Sequence, residues 1–234
     1  MSGLAQFERD GVATVRAVIA PIEADQLVAD FTRWQADQPA SSAAGIRNLL
    51  RELPAVGTVA SHPGVRQLVG SVLGEAAFPV RALWFDKTAA VNWKVPWHQD
   101  LAIAVAERRE VPGFTGWSLK DGVLHVHAPT EVLSAMVTVR LQLDDCGPDQ
   151  GPLRILPGSH LHGRLGAAEI SQWRQQVSET VCTGVKGDGV MMRPLLLHAS
   201  STATRPGHRR VLHLEFAAAE LPGGLRWAFR PASA

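Results

Sequence analysis

The 234-residue chain contains no tyrosine. That excludes a phenolate metal ligand and a phenolic general acid. Cysteine is nearly absent too. Cys146 and Cys182 are the two present, without Cys-x-x-Cys spacing. Free thiols in a reducing cytoplasm are therefore expected rather than a disulfide. No run of like charges occurs, and the net charge is +1 with neutral histidines. There is thus no electrostatic footprint for nucleic acid or an anionic membrane. No uncharged apolar stretch reaches the roughly 18 residues needed to span a bilayer. The first ten residues lack the basic and apolar regions of a signal peptide. Internal repeats and low-complexity segments are also missing. The expected partner is a small molecule, and the oligomeric state is not readable.

What is present is apolar and patterned as strands. Hydrophobic residues make up 46% of the chain, enough for a sizeable core, and the length suits one barrel domain. The expected organisation is an N-terminal strand and helices over 1–77 and a barrel core over 78–218. A lid-like insertion is expected over about 102–130, because a charged, Gly/Pro-containing segment runs there. Gly11–Ile19 reads as a strand. Pro21 opens a helix carrying Leu27, Val28, Phe31 and Trp34 at helical spacing. Residues 38–58 read as loop with one helical turn around Asn48–Glu52. Ser61 is a candidate cap for a helix over Pro63–Leu73. Val80–Lys87 and Val91–His98 read as paired strands. In Met136–Asp144, Val137, Val139, Leu141 and Leu143 share one face, and Thr138, Arg140, Gln142 and Asp144 share the other. Gly187-Asp188-Gly189 is a hairpin signal, and Leu225–Phe229 a possible edge strand.

The chemistry centres on Trp97-His98-Gln99-Asp100. In a strand, residues i and i+2 share a face, so His98 and Asp100 offer an imidazole and a carboxylate together. That is two thirds of the two-histidine, one-carboxylate arrangement that holds Fe(II) with open positions. His198 ends an apolar strand and is a candidate third ligand; the alternative is a core histidine bonded to backbone. Arg209 follows at the start of Arg209–Ala217. Its alternation places Arg209, Val211, His213 and Glu215 on one face and Arg210, Leu212, Leu214 and Phe216 on the other. If the apolar set packs on helices, Arg209 points inward, where a guanidinium suits a carboxylate; the alternative is a surface ion pair. His213 and Glu215 then line the interior or pair with Arg209. Thr138, Arg140 and Gln142 are the expected cavity wall; Gln142 touches cosubstrate or fills the barrel with a hydrogen bond. Asn92, Trp93, Lys94 and Trp97 crowd the approach, and Lys94 meets an anionic substrate or lies on the surface. His125-Val126-His127 and His160-Leu161-His162 sit in loop-like sequence and read as surface or turn residues. Glu107-Arg108-Arg109-Glu110 reads as a solvated face.

Trp97-His98-Gln99-Asp100, Gly151-Pro152-Leu153 followed by Pro157-Gly158-Ser159-His160, and His198 with Arg209 eleven residues later resemble the phytanoyl-CoA dioxygenase family. The resemblance runs from the N-terminal strand and helix to Phe216. It implies a mainly β fold with flanking helices, a double-stranded β-helix (jelly-roll, cupin-like) barrel. It also implies Fe(II), 2-oxoglutarate as cosubstrate and O2. By the resemblance, His98, Asp100 and His198 bind iron and Arg209 pairs with the C5 carboxylate of 2-oxoglutarate. Ser200 helps that carboxylate, and Trp117 lies near the cosubstrate. The implied reaction hydroxylates a small organic molecule and releases succinate and CO2. Asp100 stands where related halogenases have a small residue, which favours oxygenation over halogenation. The main rival is a cupin-like barrel that binds a metal or ligand without turnover. A nucleic-acid or protein demethylase is disfavoured by the near-neutral charge and short length. The family acts on acyl-CoA thioesters, amino-acid derivatives and secondary metabolites, so it does not name the substrate.

Overall fold

Strand alternation in this chain produces three antiparallel sheets. The structure is a computed structural model and describes residues 3–38 and 45–231. The N-terminal part contains α1 (Gly3–Asp10), β1 (Val12–Val15), α2 (Pro21–Ala36), β2 (Gly45–Ile46), α3 (Leu49–Glu52), α4 (Pro54–Ala60) and α5 (Pro63–Leu73). Then come β3 (Phe78–Lys87), β4 (Val95–His98), β5 (Ala102–Val105), β6 (Thr115–Lys120), β7 (Val123–His127), α6 (Thr130–Ser134) and β8 (Val137–Gln142). The last third holds β9 (Leu153–Ile155), α7 (Ala167–Gln176), β10 (Thr180–Cys182), β11 (Gly189–Met192), β12 (His198–Ser200) and β13 (Arg209–Ala217).

The larger sheet has the order β1-β11-β8-β13-β3-β2 and the smaller β10-β9-β12-β4. They form the two walls of the double-stranded β-helix that the resemblance implied. The outer face of the larger sheet carries Val137, Val139 and Leu141 of β8, Leu212, Leu214 and Phe216 of β13, and Trp84 of β3. This face packs on Leu27 and Phe31 of α2 and Val65 and Val69 of α5. The Phe31 and Trp84 rings stack at 3.8 Å. Burying this apolar set on helices leaves the other face of the same strands to line the barrel interior. That face carries Arg209, His213 and Glu215.

Several expectations need correction. The first strand stops at Val15 because Ala17 adopts φ 50° and its N–H is taken by Asp188 Oδ1 at 3.0 Å. It is preceded by the unexpected α1. The helix over Pro63–Leu73 is capped by His62, whose Nδ1 accepts from Gly64 N at 3.1 Å, not by Ser61. The expected loop over 38–58 does hold its expected helical turn, as α3, but a second helix, α4, begins within it at Pro54, and 39–44 lie outside the described residues. β3 and β4 do not pair with each other. β3 pairs with β13 and β4 with β12, because residues 88–94 carry the chain from one sheet to the other.

The 102–130 stretch is a sheet, β5-β7-β6, rather than an open loop. It buries Ile103, Val105, Phe114 and Val126 against Leu225 and Trp227 of the C-terminal segment. Val105 bridges Trp227 there, a one-residue version of the expected edge strand. His125 is therefore a buried strand residue, not a surface one. His160 is also buried, with Nε2 bonded to Glu8 O at 3.1 Å. No helix among the described residues is long and apolar enough to cross a membrane.

Candidate active site

His98 ends β4 and His198 begins β12, and the register sets the two directly opposite each other. Their ring centroids are 4.1 Å apart. The turn after His98 is fixed by Gln99, whose side chain is buried. Its Nε2 donates to Gly163 O at 2.8 Å and Leu195 O at 2.7 Å, and its Oε1 accepts from Leu165 N at 2.8 Å. Asp100 N donates to Pro194 O at 2.9 Å. The carboxylate is thereby carried to both imidazoles: His98 Nε2 lies 3.7 Å from Asp100 Oδ1 and His198 Nε2 lies 3.6 Å from Asp100 Oδ2. All three ligand atoms fall within 4.8 Å of one another.

The hydrogen bonds leave the right atoms free. His98 Nδ1 lies 2.9 Å from Pro96 O and His198 Nδ1 lies 2.8 Å from Leu196 O. A carbonyl only accepts, so in the neutral rings each Nδ1 carries the proton and each Nε2 presents its lone pair toward Asp100. Burial pushes His198 down to about 3, which keeps it neutral and able to ligate. Asp100 Oδ2 is buried without a hydrogen-bond partner, a costly state that a cation would relieve. The donor set, two nitrogens and a carboxylate in one corner, fits a divalent transition metal with open positions.

From this corner runs a cavity of about 130 Å³. Its far end holds Arg209, Lys87 and Ser200. Arg209 and Lys87 are cross-strand partners on β13 and β3, and both side chains are buried. Lys87 Nζ donates to Ser200 Oγ at 3.0 Å and to Ser201 O. Burial and the neighbouring Arg209 lower Lys87 to about 8. Arg209 Nε has no partner. Asp100, at the other end, is the only carboxylate among the described residues on the cavity wall. The Gly-Pro-Leu segment explains itself here: Gly151 has φ +64°, and a Cβ on it would lie 2.5 Å from Ser201 O. Only glycine lets that loop approach the segment that receives Lys87.

Behind the metal corner, Arg140 Nη1 donates to His213 Nδ1 at 2.9 Å. His213 Nε2 lies 3.3 Å from Glu215 Oε1 and 3.9 Å from Asp100 Oδ2. Glu215 is in turn ion-paired with Arg81. Glu215 thus pairs with Arg81 and His213, not with Arg209.

Of the residues singled out in the sequence, His98, Asp100, His198, Ser200, Arg209, Arg140 and His213 line this cavity. Others do not. Lys94 is exposed ahead of β4. Trp97 alternates with His98 and so faces the opposite side, where Arg154 lies 5.5 Å from its ring. Trp117 packs in the β5-β7-β6 layer with Arg108 5.5 Å from its ring. Thr138 and Gln142 are buried, with Thr138 Oγ1 and Gln142 Oε1 unpartnered, but neither reaches the cavity. Lys87 and Phe85 on the wall went unnoticed in the sequence, unlike Trp93, which also lines it. The signal for the first two was there: Arg81, Leu83, Phe85 and Lys87 alternate along β3 opposite Glu215, His213, Val211 and Arg209.

Residues 7–211 match the family model described as phytanoyl-CoA dioxygenase. L-Proline trans-4-hydroxylase of Streptomyces griseoviridis is 28% identical over 176 residues, which covers 64% of this chain. The match spans 56% of that relative, little over half its length. Among solved structures, AviO1 from Streptomyces viridochromogenes Tue57 superposes with a TM-score of 0.66 at 22% identity over 95% of both chains. The epimerase SnoN, solved with Fe3+, alpha-ketoglutarate and nogalamycin RO, gives a TM-score of 0.71 at 16% identity over 97% of this chain and 92% of that one.

Proposed function

The chain belongs to the phytanoyl-CoA dioxygenase family, and from that premise we propose that it is an Fe(II)- and 2-oxoglutarate-dependent dioxygenase hydroxylating a small organic molecule. The observation that carries this reading is the meeting of His98, Asp100 and His198 within 4.8 Å at one end of a cavity whose other end holds Arg209, Lys87 and Ser200. His98, Asp100 and His198 would hold the iron. Arg209, with Ser200 and Lys87 beside it, would receive the C5 carboxylate of 2-oxoglutarate. When bound, the metal and cosubstrate would, with O2 as the oxidant, supply oxidative decarboxylation to succinate and CO2 coupled to hydroxylation of a substrate C–H bond.

The protein's own work is positional. Pro96 O and Leu196 O hold the two imidazoles in the ligating tautomer, and Gln99 holds the turn that aims Asp100. The β5-β7-β6 layer packs on the C-terminal segment beside the barrel, and we assign to it the choice of substrate. The buried free thiols Cys146 and Cys182 support a reducing compartment such as the cytoplasm.

Anaerobic addition of Fe(II) and 2-oxoglutarate should produce a weak visible charge-transfer band, and His198→Ala should abolish it while leaving the far-ultraviolet spectrum unchanged. Folded wild-type protein with no band would overturn the oxygenase reading. A band without succinate release across a broad panel of small molecules would favour a binding barrel without turnover.

A further inference from the structure

Three cations face this cavity and one carboxylate answers them: Lys87, Arg140 and Arg209 against Asp100. Lys87 and Arg209 sit together at the far end, opposite one another across β3 and β13. Arg140 reaches the cavity from another strand. It lies on β8 opposite His213, whose Nε2 is 3.9 Å from Asp100, so Arg140 stands between the two ends, behind His213 and within reach of the charges of both Arg209 and Asp100. The hydrogen bond it makes goes to a neutral acceptor, His213 Nδ1, and its guanidinium lies 5.7 Å from the Phe85 ring. A guanidinium has five N–H donors, so the one side-chain bond Arg140 makes leaves others available to a ligand in the cavity it lines. The buried acid nearby, Glu215, is already paired with Arg81.

Charge accounting gives the direction. A divalent ion held by one carboxylate and two neutral imidazoles keeps one positive charge. The dicarboxylate cosubstrate brings two negative charges, and Lys87, Arg140 and Arg209 bring three positive. The filled site is therefore left with two positive charges in excess, inside a low-dielectric wall where unpaired charge is expensive. We propose that Arg140 is the anchor for a carboxylate carried by the substrate, so that the substrate is a small organic acid oxidised at a C–H bond near its carboxylate. This rests on the oxygenase reading above. It goes further by assigning the third cation to the substrate rather than to 2-oxoglutarate, and by excluding neutral substrates.

The test uses the full chain loaded anaerobically with Fe(II) and 2-oxoglutarate and then exposed to O2, with a panel of small carboxylic and amino acids, each paired with its primary amide. Succinate release should be stimulated by one or more acids and not by the matching amides. For the best acid, Arg140→Gln should raise KM by about tenfold to a hundredfold, the loss of a charge-assisted pair, and Arg140→Lys should recover part of it. The same Arg140→Gln protein should keep the charge-transfer band and its 2-oxoglutarate dissociation constant within about twofold of wild type. Calorimetry on the metal-free protein should show the acid bound by wild type and not by Arg140→Gln. Equal stimulation by acids and amides in wild type overturns the proposal, and so does a weakened 2-oxoglutarate dissociation constant in Arg140→Gln, which would give Arg140 to the C1 carboxylate of the cosubstrate. Both outcomes leave the oxygenase reading standing. Absence of the band in wild type overturns the two together.

Discussion

Three imidazoles surround Asp100, and their hydrogen bonds sort them into two kinds. His98 and His198 each direct Nδ1 at the carbonyl two residues back, Pro96 O and Leu196 O, so Nδ1 is protonated and Nε2 is free to ligate. His213 is the reverse. Arg140 can only donate, so His213 Nδ1 must accept, and its proton sits on Nε2, 3.3 Å from Glu215 Oε1. A ring in that state presents a proton rather than a lone pair on its Asp100 side, so it is not a candidate ligand. In metal-free protein near pH 7, nitrogen–proton correlation spectra should therefore show His98 and His198 as Nδ1–H tautomers and His213 as Nε2–H. Arg140→Leu should release His213 into a tautomer mixture without altering the other two. Finding His213 as Nδ1–H would remove this distinction. At this scale the juxtaposition of His98 with Asp100 and the inward aim of Arg209 were legible in the sequence, because a fixed two-residue spacing and a strand's alternation need no knowledge of the fold. The roles of His213 and Arg140 were not, because they depend on a cross-strand neighbour.

The strands that carry these residues were easier to recognise than to pair. β8 and β13 showed their apolar and polar faces directly, yet β3 and β4, close in sequence, belong to different sheets. Periodicity reports which face is buried and is silent about the partner. The 102–130 stretch was misread for a related reason: charged residues at Glu107–Glu110 and Gly/Pro punctuation masked the alternating Val123-Leu124-His125-Val126 of β7. That misreading concealed a buried histidine with a measurable consequence. His125 is 1% exposed, with Nδ1 bonded to Val123 O at 3.0 Å, and burial lowers it to about 4 from an ordinary 6.5. The unfolded chain takes up a proton as pH falls through 6.5, while the folded chain refuses it until about 4. The stability His125 contributes is thus fully present above its unfolded value and is lost as the medium is acidified across that window. Between pH 7 and pH 5 the wild type should lose about 2 kcal/mol through this group. His125→Asn, which keeps a donor for Val123 O, should lose correspondingly less, as followed by urea unfolding at the two pH values. Parallel pH profiles for the two proteins would show that His125 titrates normally.

Taken as a whole, the molecule uses one strand for two opposed purposes. One face of β13 supplies Leu212, Leu214 and Phe216 to the core; the other holds Arg209, a buried cation whose Nε has no partner. The first set stabilises the fold. Arg209 costs stability until an anion arrives, and its charge also depresses the neighbouring Lys87. Stability and ligand binding should therefore respond in opposite directions to substitutions on the two faces of the same strand. Leu214→Ala should cost about 3 kcal/mol and leave 2-oxoglutarate affinity unchanged at temperatures where the protein stays folded. Arg209→Met replaces a desolvated, unpaired guanidinium with an apolar side chain of similar reach. It should raise the Tm of the metal-free protein by several degrees, corresponding to about 1–3 kcal/mol, while weakening 2-oxoglutarate binding by about a hundredfold or more. Calorimetric melting with and without Fe(II) and 2-oxoglutarate measures both effects in one experiment: wild type should gain Tm on loading, and Arg209→Met should start higher and gain little. A fall in Tm for metal-free Arg209→Met would mean that the guanidinium supports the barrel by itself, and that the far end of the cavity is held in shape by its cations rather than kept under tension for an anion.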